Sequence, residues 1–205
     1  NILLFFDIAS FPILNWDGLA TWSLKMNNFY LGQNYNNLDN LPYNHQPHLG
    51  PYLWALFLDN TFLKYEYFGR LLYIFIFLLS IFCLNLNLSE DKNYFLKIFS
   101  LIIIIFLSYD IFLFGGYQEY LIFSLILFSS IFLNKISNQN KINIYQILFF
   151  SIILNLILWS KQEGLAYIFI LEIIFLFISR ISNFYKIMSI IFFVIIILIK
   201  IQFSF

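Results

Sequence analysis

The sequence predicts an all-α integral membrane protein: a polytopic bundle of transmembrane helices with a long outer loop that carries interfacial helices. Three observations lead there. Hydrophobic residues make up 61% of the 205-residue chain and charged residues 11%, with a mean hydropathy of +0.83. A soluble domain carries about 25% charge, so this chain has too little polar surface to coat a water-soluble globule. Its long apolar runs are Ile, Leu and Phe on all sides rather than alternating, which reads as helices and not barrel strands. The polar residues gather in the connections between those runs.

A helix needs roughly 20 apolar residues to cross the hydrocarbon core. The apolar runs at 67–88, 98–114, 117–133, 144–159, 165–179 and 188–205 meet or approach that length, giving about six spans across 67–205. The shorter ones reach across by letting polar flanks snorkel. Residues 1–14 read as the end of a preceding span or a lead-in, and 15–66 as the outer loop, all within one transmembrane domain, 1–205. The chain begins at Asn1 and ends inside an apolar run at Phe205, and both ends are expected to be truncations.

Within the loop, 16–30 has the pattern of a surface helix. Leu19, Trp22, Met26 and Phe29 form one apolar stripe, while Asp17, Thr21 and Asn28 fall opposite; Leu24 breaks the pattern. Residues 31–46 are Asn-rich and punctuated by Gly32 and Pro42, a loop by composition. Pro47, Gly50 and Pro51 lead into an apolar stretch at 52–62, too short to span and therefore re-entrant or interfacial.

Lys and Arg set the orientation. One set of connections holds Lys92, Lys97, Lys135, Lys141, Arg180 and Lys186; the other, spread over a much longer loop, holds Lys25, Lys64, Arg70 and Lys161. The first set is placed in the cytoplasm. The loop 15–66 and the turns 115–119 and 160–164 then lie outside, together with Asp7, Asp17, Asp39, Asp59, Glu66, Glu119 and Glu163, against Glu90 and Asp91 inside. That skew of acids points to a polar site on the outer face.

The candidate chemistry lies there. Asp17 opens the interfacial helix; it fits an acid that offsets the helix dipole, and equally a general base at the membrane surface. Lys161 and Glu163 occupy the turn Trp159-Ser160-Lys161-Gln162-Glu163-Gly164. Lys161 fits a snorkelling anchor, or a partner for a lipid phosphate, since an outer lysine runs against the inside bias. Arg70 is similar, with a fork suited to phosphate oxygens. Gly115-Gly116-Tyr117-Gln118-Glu119 fits a plain tight turn or a close backbone approach to a ligand. His45 and His48 lie three apart beside Pro47 without a nearby acid, and each reads as a hydrogen-bonded loop histidine rather than a metal ligand. Asp110 and Glu172 lie within spans, where acids are functional candidates by default. The single Cys83 is a buried, inert thiol. Nothing suggests a nucleic-acid surface, a metal site or a cofactor.

Taken in order, these motifs resemble the C-type (GT-C) membrane glycosyltransferases, on the branch of the bacterial relatives of protein mannosyltransferases and the aminoarabinose transferase (glycosyltransferase family 39-like). Residues 16–25, Trp-Asp-Gly-Leu-Ala-Thr-Trp-Ser-Leu-Lys, are similar to the family's first outer-loop motif, followed by Phe29-Tyr30-Leu31-Gly32. Gln46-Pro47-His48-Leu49-Gly50-Pro51 resembles its Pro-rich entry to a short helix, and Phe68-Gly69-Arg70-Leu71 its opening of the next span. Gly116-Tyr117-Gln118-Glu119 and Lys161-Gln162-Glu163-Gly164 resemble two later turns. The family's Asp-Glu pair is Asp17-Gly18 here, and its paired prolines are Pro47-His48.

The resemblance implies inverting transfer of a sugar from a polyprenyl-phosphate donor to an acceptor hydroxyl on a glycan, lipid or protein, on the periplasmic face of a bacterial inner membrane. Asp17 would be the general base. Lys161, Arg70 and Lys25 would hold the lipid phosphate, with Glu163, Glu119, His48 and Tyr117 as supporting polar groups. No cofactor, metal or nucleic acid is implied. A secondary transporter, or a non-catalytic membrane assembly subunit, is the alternative.

Overall fold

The computed structural model describes residues 16, 18–32, 40–41, 46–59, 66–88, 95, 98–99, 101–103, 118–139, 142–178 and 180–202. Among these the chain is all helical. A π-helical turn, Gly18–Ser23, runs into α1, Leu24–Tyr30. Then follow α2 (Leu49–Asp59), α3 (Glu66–Leu88), α4 (Glu119–Asn138), α5 (Ile144–Ser160), α6 (Gly164–Phe177) and α7 (Asn183–Gln202). Among the described residues, three stretches are long and apolar enough to cross a membrane: Tyr67–Asn87, Glu119–Asn138 and Asn183–Gln202. The helices Leu49–Leu58, Ile144–Ser160 and Gly164–Phe177 are apolar but shorter. The expected span boundaries hold to within a few residues for α3, α5 and α6, whereas α4 runs on to Asn138 and α7 begins five residues early. Most of the run 98–114, the lead-in 1–14 and most of the loop 31–46 lie outside the described residues.

The exterior is that of a molecule solvated by lipid. Phe75 and Phe82 of α3, Ile170 and Ile173 of α6, and Leu198 of α7 all face outward. Hydroxyls within these helices are satisfied locally: Ser129 donates to the Leu125 carbonyl at 2.9 Å, and Ser151 to that of Ile147 at 2.9 Å. A backbone acceptor four residues back removes the cost of an unpaired hydroxyl in an apolar interior.

Aromatic contacts fix the helix directions. Phe77 of α3 packs on Tyr120 and Phe123 of α4, with ring centroids 4.9 and 5.9 Å apart, and Gln118 donates to the Tyr73 hydroxyl at 3.2 Å. These contacts advance together along both helices, so α3 and α4 run parallel and start at the same end. Phe132 against Phe149 makes α4 and α5 antiparallel. A reciprocal cap starts α5: Asn143 Oδ1 accepts from the Gln146 N–H and Gln146 Oε1 from the Asn143 N–H, each at 3.0 Å. Phe150 stacks on Phe175 between α5 and α6, and Phe169 meets Phe193 between α6 and α7.

Gly69 and Gly164 are two of the glycines that set close approaches. A Cβ on Gly69 of α3 would collide with the Trp54 indole of α2. A Cβ on Gly164 would strike the Ile157 carbonyl, so the α5–α6 turn closes as tightly as it does only with glycine there. Gly32, at φ +66°, ends α1 in the left-handed region, its N–H bonded to the Phe29 carbonyl.

The surface-helix reading of 16–30 needs a correction. Of the expected apolar stripe, Trp22 and Met26 are buried inside the protein but Leu19 is 48% exposed, and Thr21 and Asn28, expected on the opposite face, are buried together with Gly18 and Lys25. The buried set at 18, 21, 25 and 28 lies one residue before the expected stripe. A π-helical turn closes its hydrogen bonds from i to i+5, one residue more than the α-helix. An α-helical wheel drawn through Gly18–Ser23 therefore misplaces Leu19 and Thr21, while Trp22 stays inside.

Candidate functional site

The starts of α2 and α4, the π-turn with α1, and the α5–α6 turn meet at one end of the molecule. Gln118, just before α4, is buried against the start of α2: a Cβ on Gly50 would fall on its side-chain amide. The α5–α6 turn brings Lys161 across to the first residue of α4. Its ammonium donates to Glu119 Oε1 at 2.5 Å and lies 3.8 Å from Glu163. Two carboxylates thus flank one lysine, each partly open to its surroundings.

These groups line a cavity of about 170 Å³. Glu119, Lys161, Gln162 and Glu163 form one wall; Trp22, Gln46 and Pro47 from the loop form the other. A second cavity, of about 340 Å³, shares Pro47 and Gln162 with the first and is otherwise mostly apolar, bounded by Leu158, Leu165, Ile197 and Ile201, with Lys200 at its edge. A polar chamber and an apolar one therefore stand side by side.

Lys25 reinforces the loop wall from behind. Its side chain is fully buried, its ammonium donates to the Gln46 carbonyl at 2.8 Å, and it lies 5.9 Å from the Trp22 ring. Burial holds the Lys25 pKa down at about 7, and the charge of Lys200 pushes the same way. His48 sits edge-on to Phe29, with ring centroids 6.3 Å apart. Burial, and then the charges of Lys25 and Lys200, keep His48 down at about 3, so its imidazole is neutral at any physiological pH.

Several expected site residues thus come together and others do not. Glu119, Lys161 and Glu163 share the polar cavity. Lys25 and His48 support its wall: the Lys25 ammonium donates to the Gln46 carbonyl, and neither residue is among those that line the cavity. Arg70, within α3, is only 2% exposed and is not among the described residues that line either cavity. Asp17, Tyr117, His45 and Asp110 lie outside the described residues. Glu172, left without a partner by the sequence, accepts from the Ser189 hydroxyl at 3.1 Å, joining α6 to α7.

Lys200 was missed. Its ammonium lies 3.9 Å from the centre of the Trp159 ring. A lysine inside an apolar run was the available signal, since ionisable groups in spans call for a function. No known protein family, characterised protein or solved structure matches the chain, so the family resemblance rests on the motifs alone.

Proposed function

We propose that the chain is the membrane-embedded part of a polytopic glycosyltransferase that moves a sugar from a polyprenyl-phosphate donor to an acceptor hydroxyl at the outer membrane surface. The observation that carries this reading is the convergence of three segments, distant in sequence, on one polar cavity that shares a wall with an apolar one. Such a pair of chambers suits an amphiphilic substrate, with a charged head in the first and a hydrocarbon chain in the second. In this reading, which follows the positive-inside rule, this end of the molecule faces outward.

In this mechanism the acceptor oxygen attacks the anomeric carbon as the bond from that carbon to the phosphate oxygen breaks. The acceptor proton passes to the carboxylate of Asp17, and the polyprenyl phosphate leaves with the bonding electron pair, inverting the anomeric centre. Lys161 neutralises the departing phosphate, a preorganised cation at developing charge. To do so it exchanges Glu119 for phosphate oxygens. Lys25 contributes as a positioning residue by holding Gln46, and Arg70 through the packing of α3.

Asp17→Asn tests the reading. General bases contribute about 10²–10⁴-fold in rate, so the variant should insert normally, bind the lipid donor and transfer sugar at least about 100-fold more slowly. Transfer from a radiolabelled polyprenyl-phosphate sugar measures this, with thermal stability followed in parallel. Full activity in Asp17→Asn would remove the catalytic role and pass it to Glu119 or Glu163. No transfer by the parent protein from any of several donor sugars would favour the transporter, for which the buried intramembrane carboxyl of Glu172 is the specific observation.

A further inference from the structure

We propose that Glu172 of α6 and Ser189 of α7 form a proton-binding site inside the helix bundle, in which Glu172 is held as the neutral carboxylic acid and its proton exchanges with the surroundings. The site needs no sugar and no transfer, so its test is independent of the glycosyltransferase reading.

Three features carry this. Glu172 is only 4% exposed and lies about 12 Å along α6 from Gly164, well inside a helix with no other charged residue. Its two oxygens are unequally served: Oε2 accepts from the Ser189 hydroxyl at 3.1 Å, while Oε1 is buried and finds no hydrogen-bond partner among the described residues. A carboxylate spreads its charge over both oxygens and calls for donors at both. One hydroxyl does not meet that need, and an unpaired charge in an apolar interior neutralises instead. With the proton on Oε1, Oε2 becomes a carbonyl oxygen that a single hydroxyl satisfies.

The third feature is the company that Glu172 keeps. The helices packed on α6 are α4, α5 and α7. Their charged residues are Glu119 and Lys135 of α4 and Lys186 and Lys200 of α7; α5 has none. Lys186 lies about one turn before Ser189, but no ion pair joins it to Glu172 among the described residues. A metal ion is a poor alternative occupant. Hard cations take about six or more oxygen ligands, and among the described residues no group of three or more His, Cys, Asp or Glu could hold one. Glu172 is not among the described residues that line either cavity. A proton needs one oxygen and no volume.

The experiment places the whole chain in phosphatidylcholine vesicles at neutral pH and compares the infrared spectra of the parent and Glu172→Gln, in water and in heavy water. The C=O stretch of a carboxylic acid is separate from the bands of a carboxylate. The parent should show an acid band that Glu172→Gln lacks, and that band should move to lower frequency in heavy water as the proton exchanges. Ser189→Ala removes the donor to Oε2 and should move the band to higher frequency, a shift that a merely structural serine would not produce. That variant decides the matter if Glu172→Gln does not fold. Lys186→Gln should leave the band as it is in the parent. The absence of an acid band from the parent would overturn the proposal. So would a band that appears only in Lys186→Gln, which would make Lys186 the counter-ion of an ionised Glu172, or a band that neither Ser189→Ala nor heavy water moves.

Discussion

Replacing Gly69 by alanine should destabilise the protein, and Trp54 should be the reason. Gly69 is on α3 beside the Trp54 indole of α2, which is fully buried and held edge-on to Tyr73 with ring centroids 6.2 Å apart. A Cβ on Gly69 would lie 1.7 Å from Trp54 Cδ1. Carbon contacts settle at about 3.5–4.0 Å, so ring or helix must yield by about 2 Å. A closed, rigid ring cannot swing aside as a surface side chain would. Overpacking of this kind costs about 1–3 kcal/mol, and the better helix propensity of alanine returns at most about 1 kcal/mol. The net loss should be about 1–2 kcal/mol. Unfolding by denaturing detergent against a mild-detergent reference gives the number. The decisive comparison is the Trp54→Ala background, which itself costs about 3–5 kcal/mol. There Gly69→Ala has room and should be neutral or slightly stabilising, leaving a coupling of about 1–3 kcal/mol between the sites. A Gly69→Ala penalty of the same size with and without Trp54 would refute the argument, as would no penalty in the parent.

Other outcomes follow from the site. Lys161→Ala should weaken polyprenyl-phosphate binding by about 1.5–3 kcal/mol, whereas Glu119→Gln, by releasing Lys161 from its ion pair, should tighten it; changes of the same sign in a lipid-binding assay would break the link between ion pair and phosphate. Lys25 has a pKa of about 7 in the folded protein against 10.5 ordinarily. Between those values the unfolded chain holds a proton that the folded chain lacks, so the Lys25 contribution to stability rises with pH from about 7 upward and is flat below. From pH about 7 to about 9 the parent should gain about 1–3 kcal/mol relative to Lys25→Met, and unfolding midpoints with no such convergence would dismiss the shift. Ser189→Ala removes the hydroxyl that donates to Glu172 and should cost about 0.6–1.7 kcal/mol in detergent unfolding; an unchanged midpoint would show that the bond does not hold α6 to α7.

The helical class and most helix positions were legible because the apolar runs are continuous. A stretch such as Ile144–Ser160 is apolar on every side, and no choice of face can mislead. The gathering of Glu119, Lys161 and Glu163 was half legible: counting connections puts their turns at one end, but only the tight close at Gly164 brings Lys161 onto Glu119. Lys200 was hidden because composition treats a lone lysine in an apolar run as tolerated, and its value comes from Trp159, which lies 41 positions earlier. The burial of Arg70 was not legible either, because its position near the start of α3 does not say which helix face it lies on.

The buried polar residues of the segment before α2 tie these strands together. Thr21, Lys25 and Asn28 turn inward, while Trp16, Leu19, Leu24 and Leu31 are left exposed. In water this arrangement would be unfavourable twice over, burying a cation and exposing about four large apolar side chains. At the boundary of a bilayer the second cost vanishes, because the exposed row lies against hydrocarbon and headgroups. The first is reduced because the buried Lys25 ammonium finds the Gln46 carbonyl. Membrane contact therefore favours the face that puts Lys25 behind the cavity wall, and the same contact that orients this segment helps to hold Gln46 and Pro47 in place. Detaching the segment from lipid should loosen that wall, so on the proposed reading the site would be complete only at a membrane surface.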